Sequence, residues 1–254
     1  MSDFDRNVAA RGGFADRAAA VDAGLRAYMI RVYNYMAAAV ALTGVVAYAT
    51  FNAAVVTDAS GKITALTSFG QTIFSTPVMI GLLLATLGLV FFISFRIDRL
   101  QYSTAMTLFM VYAALLGVTL SSIFLTYTGA SITRVFFISA ASFGALSLYG
   151  YTTQRDLTGM GSFLLMGLFG VILASLVNVF MASSVLQFVI SVVGVLVFAG
   201  LTAWDTQRLK TEYLHGGMDG ETTERSAIMG ALSLYLNFIN MFTLLMQLFG
   251  QKSE

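Results

Sequence analysis

From Leu157 to Trp204 the chain runs 48 residues without an aspartate, glutamate, lysine or arginine. A helix that crosses the hydrocarbon of a bilayer needs about 20 mostly apolar residues. This stretch is therefore too long for one crossing. The small polar patch Ala182-Ser183-Ser184 predicts the break, giving spans over 158–181 and 184–205. Charges punctuate the rest of the chain at similar spacing. None lies between Arg31 and Asp58, between Lys62 and Arg96, from Gln101 to Thr133, or between Arg134 and Arg155. These intervals predict spans over 28–51, 75–95, 103–127 and 132–152, and a last, more polar one over 227–249. The expected fold class is all-α, a polytopic membrane protein with seven transmembrane helices.

Composition agrees. Charged residues make up 11% of the chain, where a soluble domain carries about 25%. The net charge of +1 offers no basic field for nucleic acid. With no cysteine and the single histidine His215, disulfides, thiolate chemistry, cysteine-ligated zinc and paired-histidine metal motifs are excluded. No cofactor or resident metal is expected.

The distribution of basic residues orients the spans. With the N-terminus in the cytoplasm, inside segments hold Arg6, Arg11, Arg17, Arg26, Arg31, Arg96, Arg99, Arg155, Arg208, Lys210 and Arg225, and outside segments hold Lys62, Arg134 and Lys252. Seven spans then leave the C-terminus in the periplasm; six would fit if the last segment were re-entrant. Residues 1–26 carry charges throughout and lack the apolar core of a signal peptide. They read as a cytoplasmic arm, helical in part over 14–25, ahead of a transmembrane domain over 27–254. The longer loops fall near 52–74 outside and 207–226 inside, the latter turn-rich from His215 to Glu221.

Chemistry is to be sought in polar groups at membrane depth. An ionisable residue at mid-bilayer costs about 2.5–3.5 kcal/mol by insertion scales and so tends to be functional. Asp205, at the inner end of the sixth span, meets the negative end of its helix dipole and should seek a cation. Arg208, three residues on, shares its face, and Arg99 lies on the same side of the membrane. A carboxylate that simply snorkels to water is the alternative. In the seventh span Ser233, Asn237 and Asn240 follow at i, i+4 and i+7 on one face, and Gln247 extends the stripe. That stripe should face the bundle interior or a water-filled cavity, with plain interhelical hydrogen bonding as the simpler reading. Asn178 and Gln187 are weaker cases of the same kind.

Three segments carry a family resemblance. Leu201-Thr202-Ala203-Trp204-Asp205-Thr206-Gln207 and Ala231-Leu232-Ser233-Leu234-Tyr235-Leu236-Asn237-Phe238-Ile239-Asn240 resemble the last two spans of the Bax inhibitor-1 family. Tyr149-Gly150-Tyr151-Thr152-Thr153-Gln154-Arg155-Asp156-Leu157 resembles its stretch between spans four and five. The match looks nearest the bacterial, YccA-like branch and covers nearly the whole chain past residue 25. The resemblance implies one central helix ringed by six and a pH-sensitive calcium leak across the bacterial inner membrane. It also implies a gate and pH sensor made of two aspartates, which share a proton because both cannot ionise cheaply at close range. The first maps onto Asp205. The second position is Asn237, which cannot ionise, so Asp205 would titrate alone and pH gating would weaken. The arginine latch of the closed form maps onto Arg99, with Arg96 as the fallback and Arg208 as a nearby counter-ion. Ser233 and Asn240 become pore or bundle polar groups. Two other classes remain. Some bacterial relatives are linked to a membrane-bound AAA protease, which suggests a regulator acting through the arm 1–26. A membrane enzyme would need a serine with a base, or two acids at depth, and only Asp205 lies near the apolar region.

Overall fold

The chain forms a bundle of long helices, seen in a computed structural model that describes residues 3–58, 63–216 and 220–253, with side chains from Val21 onward. Helix α1 (Asp3–Ala54) leads into a hairpin of β1 (Val55–Thr57) and β2 (Ile63–Leu66), then the short α2 (Ser68–Ile73). There follow α3 (Thr76–Arg96), a 3-10 turn (Ile97–Arg99), α4 (Tyr102–Leu120), the single turn α5 (Ile123–Thr126) and α6 (Gly129–Thr152). Helices α7 (Thr158–Met181), α8 (Ser184–His215) and α9 (Gly220–Phe249) complete the chain. Among the described residues, seven helical segments are long and apolar enough to cross a membrane. The chain is an all-α polytopic membrane protein.

Three expected boundaries moved, one of them the start of α9, which lies at Gly220 and not at 227, inside the expected loop. The helix expected over 14–25 begins at Asp3 and runs unbroken into the first span. Helix α8 passes the expected end of the sixth span at residue 205 by ten positions, to His215. In these places charge limits the apolar span but does not end the helix, because alanine, arginine, lysine and glutamate, which are frequent there, are good helix formers in water. The loop expected near 52–74 is partly ordered by the β1–β2 pairing, Val55 opposite Leu66 and Val56 opposite Ala65. Lys62 and residues 217–219 of the expected inside turn lie outside the described residues.

Local chemistry accounts for the ends. Pro77 sits in the first turn of α3, where its missing N–H costs nothing. Between α7 and α8 the chain turns on Ala182, whose φ of 49° is left-handed. That conformation costs an ordinary residue about 1–2 kcal/mol. The turn is braced by Asn178, whose Oδ1 accepts from the Ser183 amide at 3.0 Å. The Ser183 hydroxyl then caps α8 by accepting from the Leu186 amide at 3.3 Å.

Helix α9 is the axis. Of its apolar stretch 67% is buried inside the protein, against 11–39% for the other six. It packs directly on α1, α4, α6 and α8, while α3 lies chiefly on α4 and α7 on α8, completing the ring. Phe95, Phe163, Phe169 and Phe180 point outward, as lipid-facing residues do. Water expulsion does not drive helices together in lipid, so close packing and polar ties must hold them. Tyr235, fully buried on α9, is one tie: its hydroxyl lies 2.7 Å from Thr43 Oγ1, which also reaches the Ala113 carbonyl of α4 at 2.9 Å. At the far end residues 251–253 pair with the segment around Tyr127, the Thr128 amide donating to the Gln251 carbonyl at 2.9 Å.

Candidate functional site

Two glycines seat the inner part of α8. A Cβ on Gly150 of α6 would lie 2.1 Å from the Ala203 carbonyl oxygen, and one on Gly161 of α7 would lie 2.2 Å from the Trp204 indole. The three helices can therefore approach closely at this level, which presses the next residue, Asp205, against α9. Asp205 is 5% exposed, and both its oxygens are engaged. Oδ1 pairs with Arg208 Nη2 at 2.9 Å, and Oδ2 accepts from Asn237 Nδ2 at 2.7 Å. An ionised carboxylate can only accept, so the asparagine must present its amide nitrogen.

Arg208 is a hub. Its guanidinium lies over the Trp204 ring, 5.1 Å from the centroid, a cation–π contact. Nη2 also donates to Ser233 Oγ at 3.4 Å, and Nε faces Glu212 Oε1 at 3.6 Å. Its side chain is 37% exposed, against 7% for Asp205. The exposed side opens on a groove of about 870 Å³ lined by Arg155, Asp156, Trp204, Arg208, Lys210 and Glu212. Asp205 does not line it. Arg208 thus stands between the buried carboxylate and the groove.

The far wall of the groove is held in place by polar clamps on the loop between α6 and α7. Gln207 donates from Nε2 to the Arg155 carbonyl at 2.7 Å and accepts from the Leu157 amide at 2.8 Å. Lys210 donates to the Tyr151 carbonyl at 2.9 Å. The Thr158 hydroxyl and amide hold the Asp156 carboxyl below its ordinary range. Around the same end Arg31 pairs with Glu224 at 3.4 Å, Arg225 pairs with Glu221, and Tyr28 bonds Ser226 at 2.9 Å.

The structure brings together Asp205, Asn237, Arg208 and Ser233. Arg99 and Arg96 are exposed, and among the described residues neither forms an ion pair with Asp205. Arg208 fills that position. Asn240 does not reach across: its Nδ2 donates to the Leu236 carbonyl of its own helix at 2.8 Å. Gln247 belongs to a second, uncharged cluster toward the other end of the bundle, where its Oε1 accepts from Gln187 at 2.6 Å and from Ser191 at 2.8 Å. Asn178 joins through Gln187 at 3.0 Å. Between the two clusters the α8–α9 seam is packed with apolar groups, Leu244 filling the notch at Gly194. Trp204, Gln207 and Glu212 were not foreseen as members of the site. Trp204 and Glu212 stand four residues before and after Arg208, so helical spacing alone could have found them.

Residues 25–254 match the family model described as "Inhibitor of apoptosis-promoting Bax1". An uncharacterized protein of Rickettsia prowazekii is 48% identical over 92% of this chain and 93% of its own length. An uncharacterized protein of Caulobacter vibrioides is 44% identical over the full length of both. Inner membrane protein YbhL of Escherichia coli is 44% identical over 91% of this chain and 94% of that protein.

Proposed function

The chain belongs to the Bax inhibitor-1 family, and from that premise we propose that it is a cation leak channel for calcium in a bacterial inner membrane, with the Asp205–Arg208 pair as its gate. The N-terminus is then cytoplasmic and the C-terminus periplasmic, the orientation favoured by the basic residues. The observation that carries the reading is a buried carboxylate closed off from a groove lined by charged side chains by a single, half-exposed arginine.

The energetics say how such a gate works. Stripping the counter-ion from a buried carboxylate costs about 3–5 kcal/mol, so the pair does not open spontaneously. An arriving divalent cation can replace Arg208, and Glu212, 3.6 Å from Arg208 Nε, can receive the displaced guanidinium. Calcium takes oxygen ligands. Asp205 and Ser233 offer them as they stand, and Asn237 does so once its amide flips to turn Oδ1 inward. The apolar seam at Leu244 and Gly194 closes the path in this conformation, so conduction also requires α8 and α9 to part. The lone carboxylate titrates with one proton, which makes the pH response shallow.

Calcium flux into proteoliposomes tests the reading. Asp205→Asn should abolish the pH-dependent part of the flux across pH 5–8. Flux identical to wild type at every pH would remove Asp205 from the gate. Arg99→Gln should leave flux close to wild type, whereas Arg208→Gln should raise it.

A further inference from the structure

Helices α1 and α6 both pack on α9 yet stand apart from each other, and the gap is a crevice. It consists of three adjoining cavities of about 560, 540 and 460 Å³. The first two share Phe143, and the second and third share Val40 and Phe136. Its wall on α1 runs from Arg26 to Tyr48, roughly 33 Å at 1.5 Å per residue. That is about the thickness of the bilayer hydrocarbon, some 30 Å. The glycines on its walls show that the space is open. A Cβ on Gly44 of α1 or on Gly144 of α6 would meet nothing within 4 Å. Where helices do touch, as at Gly117 and Gly150, the same atom would collide with neighbouring backbone at 2.7 and 2.1 Å.

We propose that this crevice is a binding site for one acyl chain of an anionic phospholipid, with the headgroup held at the Arg26 end. An unfilled gap forfeits contact energy along its whole lining. Water is a poor occupant of an apolar cavity that offers it few polar partners. A single hydrocarbon chain would run between Phe136 and Phe143 on one wall and Ala37, Ala41 and Gly44 on the other, all of which line the middle cavity. Charge selects the headgroup. Among the described lining residues Arg26 is the one charged group, and no carboxylate lines any of the three cavities. Asp22, one turn away, makes no ion pair with Arg26 among the described contacts.

The full chain in nanodiscs of phosphatidylglycerol and phosphatidylethanolamine tests this, with a photoactivatable diazirine placed in the acyl chain of one lipid or the other. Cross-links should concentrate on crevice residues of α1 and α6. The pair Gly44→Leu and Gly144→Leu fills open space and removes two glycines from helices, so folding should persist, checked by an unchanged Tm. In that variant crevice labelling should fall to the level of the outward face of α7. Arg26→Gln should lower the preference for phosphatidylglycerol about five-fold, the factor expected of one cation at a membrane surface, without reducing total labelling. Crevice labelling that survives the leucine pair overturns the proposal. So do equal labelling by the two headgroups in the wild type, or a dimer whose cross-links join α1 of one copy to α6 of the other.

Discussion

At the scale of single residues, the site turns on one carboxylate and on what satisfies it. Truncating Arg208 leaves the buried Asp205 carboxylate without its counter-ion, a loss of about 3–5 kcal/mol. Arg208→Gln should therefore lower the stability measured by thermal unfolding in detergent, and adding Asp205→Asn should restore most of it, because a neutral amide needs no counter-ion. If the double variant is no better than the single, the ion pair is not what holds this junction. Asn237→Asp places a second carboxylate where the amide now sits, 2.7 Å from Asp205 Oδ2. Two acids at that distance share a proton, so the flux of this variant should follow a steeper, two-proton pH curve than the wild type. Equal steepness in both would show that position 237 does not sense protons. Helical spacing already placed Arg208 on the face of Asp205. The position of Arg99 depends on where the 3-10 turn after α3 points, and no local rule sets that.

At the scale of elements, glycines and caps determine how closely helices meet. Gly150 and Gly161 let α6 and α7 approach the Ala203–Trp204 segment. Gly150→Leu should push α8 away, break the Asp205–Asn237 bond and lower Tm, a cost of about 1–3 kcal/mol typical of overpacking. The same replacement at Gly44, where space is open, should be tolerated; equal losses at both positions would contradict the packing described. Ala182, strained at the turn between α7 and α8, offers the opposite test. Ala182→Gly relieves the left-handed strain and should stabilise by up to about 1 kcal/mol, read as a rise in Tm. The break itself was legible as Ala182-Ser183-Ser184, because small polar residues interrupt an apolar run. The left-handed angle and the bracing by Asn178 were not, since they depend on how two antiparallel helices meet.

At the scale of the whole molecule, one buried tyrosine on the axis helix ties α9 to its neighbours. Tyr235→Phe removes the bond to Thr43 while keeping the ring against Phe109 and Tyr112. The loss should be about 0.6–1.7 kcal/mol, the range for interhelical bonds in membranes. A smaller change in Tm would mean that the edge-to-face rings alone hold the axis. The number of crossings, their order, the break in the longest apolar run and the shared face of Asp205 and Arg208 follow from the sequence by itself, because solvation in a bilayer acts on each stretch of chain separately. The choice of Arg208 over Arg99, the turning of Gln247 toward Gln187 and the open crevice between α1 and α6 were decided only in the tertiary structure. Each depends on the distance and rotation between helices far apart in the chain, and those are set by packing volumes that no single stretch contains.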